Sequence, residues 1–218
     1  MLKRLVCAGL LATALIIPTV EAAGDINLPT VQIGKGMSVT TALSGRRSTR
    51  EFSDKALTAK QLSKIFWAAN GINRPDTGGR VNPAAHGEYI IDVYAIMSDG
   101  IYCYDPRDHK LVLIVEGDHR ELASKKAGSW SSKAPLNLVY VAYTGDMKKA
   151  PHASDATKQA RYVGVAAGTM AQSVALVVES EGLGGCVRGS VDEANFRKVA
   201  KLDDDREIIL AQTIGALK

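Results

Sequence analysis

A single domain that mixes helices and strands is what the sequence predicts, and three observations carry that expectation. Three apolar runs of strand length, 89–97, 100–105 and 110–115, follow one another with turn residues between them. A helical pattern over 151–181 is the longest in the chain, and shorter amphipathic stretches accompany it. Setting aside a leader of 22 residues leaves about 195 of the 218, the size of one domain and enough to bury a core.

The leader comes first. Lys3 and Arg4 precede an apolar run over 5–17, then Pro18, then Val20-Glu21-Ala22 with small residues at the −3 and −1 positions of a cleavage site. The run is shorter than the roughly 20 apolar residues that cross a bilayer, so residues 1–22 read as a cleaved secretory signal. No twin-arginine pair precedes it, which implies export of an unfolded chain, here to the periplasm, with any cofactor acquired there. Residues 23–218 then form the folded domain.

Composition excludes several classes. The formal charge of +4 falls to +3 without Lys3, Arg4 and Glu21, and its evenly mixed signs do not suggest a nucleic-acid partner. His86, His109, His119 and His152 have no ligand spacing and no cysteine pair sits at zinc intervals, so no metal site is expected. Cys103 and Cys186 either form one disulfide or stay as buried thiols.

Residues 25–36 read as an extended lead-in, with Leu28, Val31 and Ile33 interrupted by Pro29, Gly34 and Gly36. A short helix over 38–43 ends at Ser44-Gly45. Thr58 and Gln61 have capping-box spacing at the start of a helix whose apolar face is Leu62, Ile65, Phe66 and Ala69, and Asn70-Gly71 ends it. Residues 72–87 are polar and turn-rich, and so long a loop in a compact domain is either functional or flexible. Ser98-Asp99-Gly100 makes a hairpin of the first two strand runs. Residues 119–127 read as helical, and 136–143 as a strand buried on both faces.

The long helical pattern carries Ala160, Gly164, Ala166, Ala167, Gly168, Ala171, Ser173 and Ala175, small residues that imply close packing on several sides. It is either a central core helix or a subunit-interface helix. The glycine-rich turn 182–189 is either a plain helix cap or a set of exposed backbone N–H groups. A short helix over 192–200 and a closing strand over 207–214 complete the chain.

Arg46-Arg47-Ser48-Thr49-Arg50-Glu51-Phe52 concentrates three guanidinium forks and two hydroxyls after a helix end. That set suits a bound phosphate, and it also fits a solvated basic turn.

Four motifs in order resemble those of the nitroreductase-like FMN-dependent flavoproteins: 46–52, 83–94, 182–189, and Thr213-Ile214-Gly215. The motif at 83–94 is most similar to the branch related to the azoline dehydrogenases of peptide maturation. The resemblance covers nearly all of the chain from about residue 38 to Gly215. It implies an α+β fold, a mostly antiparallel central sheet flanked by helices, in an intertwined homodimer with one FMN at each end of the interface. It gives Arg46, Arg47, Ser48 and Arg50 to the phosphate and ribityl chain, and Pro83, Ala84 and Ala85, from the partner subunit, to the isoalloxazine. Gly184, Gly185, Arg188 and Gly189 would bring backbone N–H groups to the reactive edge of the flavin. The sequence departs from the family pattern at Ala84 in place of serine, His86 in place of glycine and Ile90 in place of proline.

Flavin would carry the chemistry, so no catalytic acid or base is nominated, and His86, Tyr89, Tyr102 and Trp130 are the candidates to line the substrate side. The function implied is an exported FMN-dependent oxidoreductase acting on a small-molecule substrate such as a nitro compound or quinone. A non-catalytic flavin-binding or sensing relative is the alternative. Export also implies a periplasmic or membrane redox partner, or a reduced substrate, as electron source in place of NAD(P)H.

Overall fold

The computed structural model describes residues 23–34, 36–147 and 155–218; the leader expected at 1–22 lies outside the described residues. Its centre is a seven-stranded sheet in the order β1-β6-β5-β4-β7-β9-β8. The strands are β1 (Ile26–Asn27), β4 (Ile91–Ile96), β5 (Gly100–Asp105), β6 (Lys110–Glu116), β7 (Leu136–Tyr143), β8 (Leu183–Arg188) and β9 (Arg206–Ala216). Every neighbouring pair is antiparallel. With four α-helices among the described residues, α1 (Val39–Gly45), α2 (Ala59–Asn70), α3 (Ala156–Ser180) and α4 (Glu193–Val199), the class is α+β, as the family resemblance implied.

An interior strand, β7, shows why the sheet is covered on both sides. Along β7, Leu136, Leu138, Tyr140 and Ala142 face the main core with α2 and α3, while Val139 and Val141 face a smaller core with Phe196 of α4. A strand with period two and apolar residues in both registers has no face left for water.

Each helix starts where a side chain accepts an otherwise orphaned N–H. Thr58 and Gln61 form the expected capping box on α2. Ser38 caps α1, Asp155 caps α3 and Asp192 caps α4. Gly182, at φ 67°, stops α3 in the left-handed conformation that glycine adopts without cost.

Three local expectations need correction. Residues 72–87 are not featureless: Ile72–Arg74 (β2) and Gly79–Arg80 (β3) pair as a hairpin, and Ala85–Gly87 forms a 3₁₀ turn. The helix expected over 119–127 is one 3₁₀ turn, Arg120–Ala123, too short for amphipathic periodicity to mark. The glycine-rich turn 182–189 is largely the edge strand β8, because glycine's permissiveness serves close packing there, as described below.

Cys103 and Cys186 are free thiols. They lie on β5 and β8 with β4, β7 and β9 between them, so about 19 Å of sheet separates them at ~4.8 Å per strand, far beyond disulfide reach.

Candidate functional site

The arginine segment lies along the β8 edge as a partial eighth strand. Thr49 N–H donates to Gly185 O at 2.8 Å, Ser48 bridges Gly185 in parallel, and Ser53 N–H donates to Ala216 O at 2.9 Å. Glycine makes this approach possible. A Cβ on Gly184 would stand 2.9 Å from Thr49 Cγ2, and one on Gly215 would stand 3.0 Å from Phe52 Cβ. The first, third and fourth sequence motifs are therefore one assembly at one sheet edge.

The side chains held there are unengaged. Arg46, Arg47 and Arg50 are exposed, and among the described residues none of the three guanidinium groups makes a hydrogen bond or ion pair. Arg46, Arg47 and Ser48 line a recess of about 100 Å³ with Gln172 and Glu179 of α3 and with Gly185. Glu179 was not marked by any sequence signal; its carboxylate packs against the backbone at Gly45, where a Cβ would lie 2.1 Å from Oε1. Free guanidinium forks beside Gly184 and Gly185, which carry no side chains, fit a phosphate well. The volume is below the roughly 300 Å³ of pockets that enclose a drug-sized ligand, so within one chain the recess has room for a phosphate-sized group only.

The side chain of Arg188, in a segment expected to offer backbone N–H groups, is engaged within the sheet. Its Nε donates to Thr213 Oγ1 at 2.8 Å and Nη2 to Asn137 Oδ1 at 2.9 Å, while Nη1 reaches the carbonyls of Ala123 at 2.5 Å and of Ser190. Asn137 Oδ1 also accepts from Thr213 Oγ1 at 2.7 Å. Burial pulls the guanidinium pKa down to about 10. Arg188 is thus a strut that ties β8 to β7, β9 and the 120–123 turn. Gly189 lies just beyond β8, with open space where a Cβ would stand.

Pro83, Ala84 and Ala85 are not brought to the arginine segment within one chain. Pro83 and Ala84 border a small recess with Ala166 and Met170 in the middle of α3, while the arginine recess touches α3 at Gln172, Ala175, Val178 and Glu179. Asn82, which no sequence motif marked, fixes this loop. Its Nδ2 donates to Ala68 O and Ala69 O at 2.6 and 2.8 Å, and its Oδ1 accepts from Ser173 Oγ at 2.6 Å. The only available signal was its position next to Pro83.

The four substrate-side candidates separate. Tyr102 is 1% exposed and belongs to the core, so it lines no substrate site. Tyr89 lies under Arg80, with 5.0 Å from the guanidinium carbon to the ring centroid, and accepts from Arg80 N–H at 3.2 Å. Trp130 packs on Phe52 with ring centroids 6.1 Å apart, beside the arginine segment. His86 is exposed in the 83–87 loop at φ 54°, where the family pattern has a glycine, and its ring lies edge-on to Tyr162 of α3.

Known proteins share this fold. A solved structure of a nitroreductase-type protein from Ralstonia eutropha JMP134 is 37% identical, covers 97% of this chain and 96% of its own, and superposes with a TM-score of 0.81. The microcin synthetase complex of Escherichia coli, solved with a truncated precursor bound, contains a chain that is 18% identical over 95% of this one and 79% of its own, TM-score 0.66. It shares the fold. A nitroreductase-type protein of Desulfovibrio desulfuricans, solved with FMN, shares the fold at 17% identity over 84% of this chain and 88% of its own, TM-score 0.59. The model of the Nitroreductase family matches residues 43–216, from α1 to the end of β9 and across the whole arginine segment, and the chain belongs to that family of oxidoreductases.

Proposed function

We propose that the chain is an exported, FMN-dependent oxidoreductase that works as a homodimer on a small-molecule substrate such as a nitro compound or a quinone. The observation that carries this reading is the set of unengaged guanidinium groups of Arg46, Arg47 and Arg50, fixed along β8 by Thr49 at 2.8 Å. FMN suits them better than FAD, since a terminal phosphate can take several forks at once. The FMN bound by the Desulfovibrio protein supports the same choice.

FMN, when bound, supplies hydride and electron transfer. The chain's own part is to hold and orient it: Arg46, Arg47, Ser48 and Arg50 at the phosphate and ribityl end, with Gly184 and Gly185 keeping side chains away from it. Pro83, Ala84 and Ala85 would serve the ring of the partner's flavin, which accounts for their separation from the arginine segment in a single chain. Two surfaces favour such a dimer. Gly164 and Gly168 of α3 have open space where a Cβ would stand, next to Val165 at 62% exposure. Val39 and Leu43 present a further apolar stripe on α1.

Electron supply follows from export. A periplasmic protein meets no soluble nicotinamide pool, so a reduced substrate or a periplasmic or membrane redox protein is the donor. Mature protein loaded with FMN should be reduced slowly by NADH and NADPH in anaerobic stopped flow, and rapid saturable reduction at micromolar nicotinamide would overturn this part. For the flavin itself, Arg46→Ala with Arg50→Ala should remove most FMN affinity, at about 1.5–3 kcal/mol per charged hydrogen bond lost. Unchanged FMN binding by that double variant would sink the assignment.

A further inference from the structure

A recess larger than the one at the arginine segment lies elsewhere in the fold. It is a groove of about 510 Å³ between the lead-in at 30–33, the C-terminal half of α2, the β2–β3 hairpin and the β5–β6 turn. That volume is within the roughly 300–1,000 Å³ range of small-molecule sites, and none of its lining residues is shared with the recess at Arg46.

Its floor holds polar side chains that have satisfied one another. Trp67 donates its indole N–H to Ile72 O at 3.2 Å, which leaves the ring faces as its free surface. Tyr104 OH lies 2.8 Å from His109 Nδ1, and His109 Nε2 lies 2.9 Å from Ser63 Oγ and 3.2 Å from Pro29 O. Ser63 Oγ donates to Pro29 O at 2.5 Å. One assignment satisfies every atom: Tyr104 donates to Nδ1, and Nε2–H is shared by Ser63 Oγ and Pro29 O. Ser63, 1% exposed and already donating its proton, is therefore no nucleophile despite its histidine neighbour. His109 adopts φ 49° to reach this position, so the floor is built at some backbone cost.

What remains open to a ligand is an aromatic face, apolar walls from Val31, Ile72 and Pro106, and one cation at the mouth. Arg107 is exposed, and its guanidinium has no ion pair or hydrogen bond among the described residues. The nearby Asp105 carboxylate is occupied by the backbone N–H groups of Arg107 and Asp108, and Asp108 pairs with Lys110 at 3.4 Å. We propose that this groove binds a small planar aromatic carboxylate, with its ring on Trp67 and its carboxylate on Arg107. The site is separate from the flavin site and does not depend on it.

The test is a calorimetric titration of 2-naphthoate into the FMN-supplemented mature protein, with quenching of tryptophan fluorescence as an independent readout. Saturable binding of one molecule per chain is expected. Arg107→Ala, an exposed change that leaves the fold intact, should weaken it roughly fivefold, as should the neutral probe 2-naphthylmethanol, the effect of one rim charge contact. The Arg46→Ala, Arg50→Ala double variant should bind 2-naphthoate as well as the parent, whether or not it binds FMN. Three results would overturn the proposal: no saturation by about 1 mM, a Kd above the weak end of specific binding; equal affinity in Arg107→Ala; or loss of binding in the double arginine variant, which would put the probe at the arginine segment.

Discussion

Arg188 shows how the same residue type can serve structure at one position and ligand at another a few ångströms of sheet away. Its forks meet Asn137, Thr213 and two carbonyls, whereas those of Arg46, Arg47 and Arg50 meet none among the described residues. Arg188→Ala should cost about 1–3 kcal/mol, because it strands buried neutral acceptors around Asn137; denaturant unfolding checks this, and an unchanged midpoint would refute the strut. His109 gives a pH dependence with a definite sign. Burial lowers its pKa from the ordinary 6.5, opposed by its hydrogen bond to Pro29 O. The folded state therefore favours neutral imidazole, so stability is full above pH 6.5 and falls as pH drops from there toward the depressed folded pKa. His109→Asn, which tolerates the left-handed backbone, should flatten the unfolding midpoint between pH 7 and 5 relative to the parent.

At the scale of elements, the sheet edge is where backbone proximity does most for the site. Gly184→Val should push Thr49 off β8, because even a Cβ there meets its side chain at 2.9 Å. FMN affinity is expected to drop about tenfold, or about 1.4 kcal/mol, with a smaller change in unfolding midpoint; equilibrium dialysis against FMN measures it, and full affinity would mean that the segment is positioned by something else. This edge also explains what the sequence could and could not reveal. Capping at Thr58 and Gln61, the doubly buried β7 and the long α3 were legible because their signals are local: cap spacing, apolar continuity and helical period. The assignment of 182–189 to a turn holds only at Gly182, because Gly184 and Gly185 answer to Thr49, far away in sequence, and not to a local change of direction. Arg188 was unreadable for the same reason, since three of its four acceptors, on Ala123, Asn137 and Thr213, come from distant places in the chain. The arginine segment was legible as a basic cluster, but its pairing with Gly185 was not.

For the whole molecule, the separation of Pro83 from the arginine segment and the open faces of α1 and α3 make one prediction together. FMN-loaded protein at micromolar concentration should scatter light as a dimer; a stable flavin-bound monomer would leave the ring without its other wall. The opposite edge of the sheet has a consequence of another kind. β1 is only two residues long, yet Asp25 Oδ1 takes the Leu113 N–H of β6 at 2.9 Å, and Ala23 N lies 3.2 Å from the Glu116 carboxylate. These few residues occupy a strand flank whose free N–H and C=O groups would otherwise recruit a strand from another molecule. A chain shortened to begin after Asn27 should keep its fold and lose colloidal stability, forming higher-order aggregates on storage that the chain beginning at Ala23 does not.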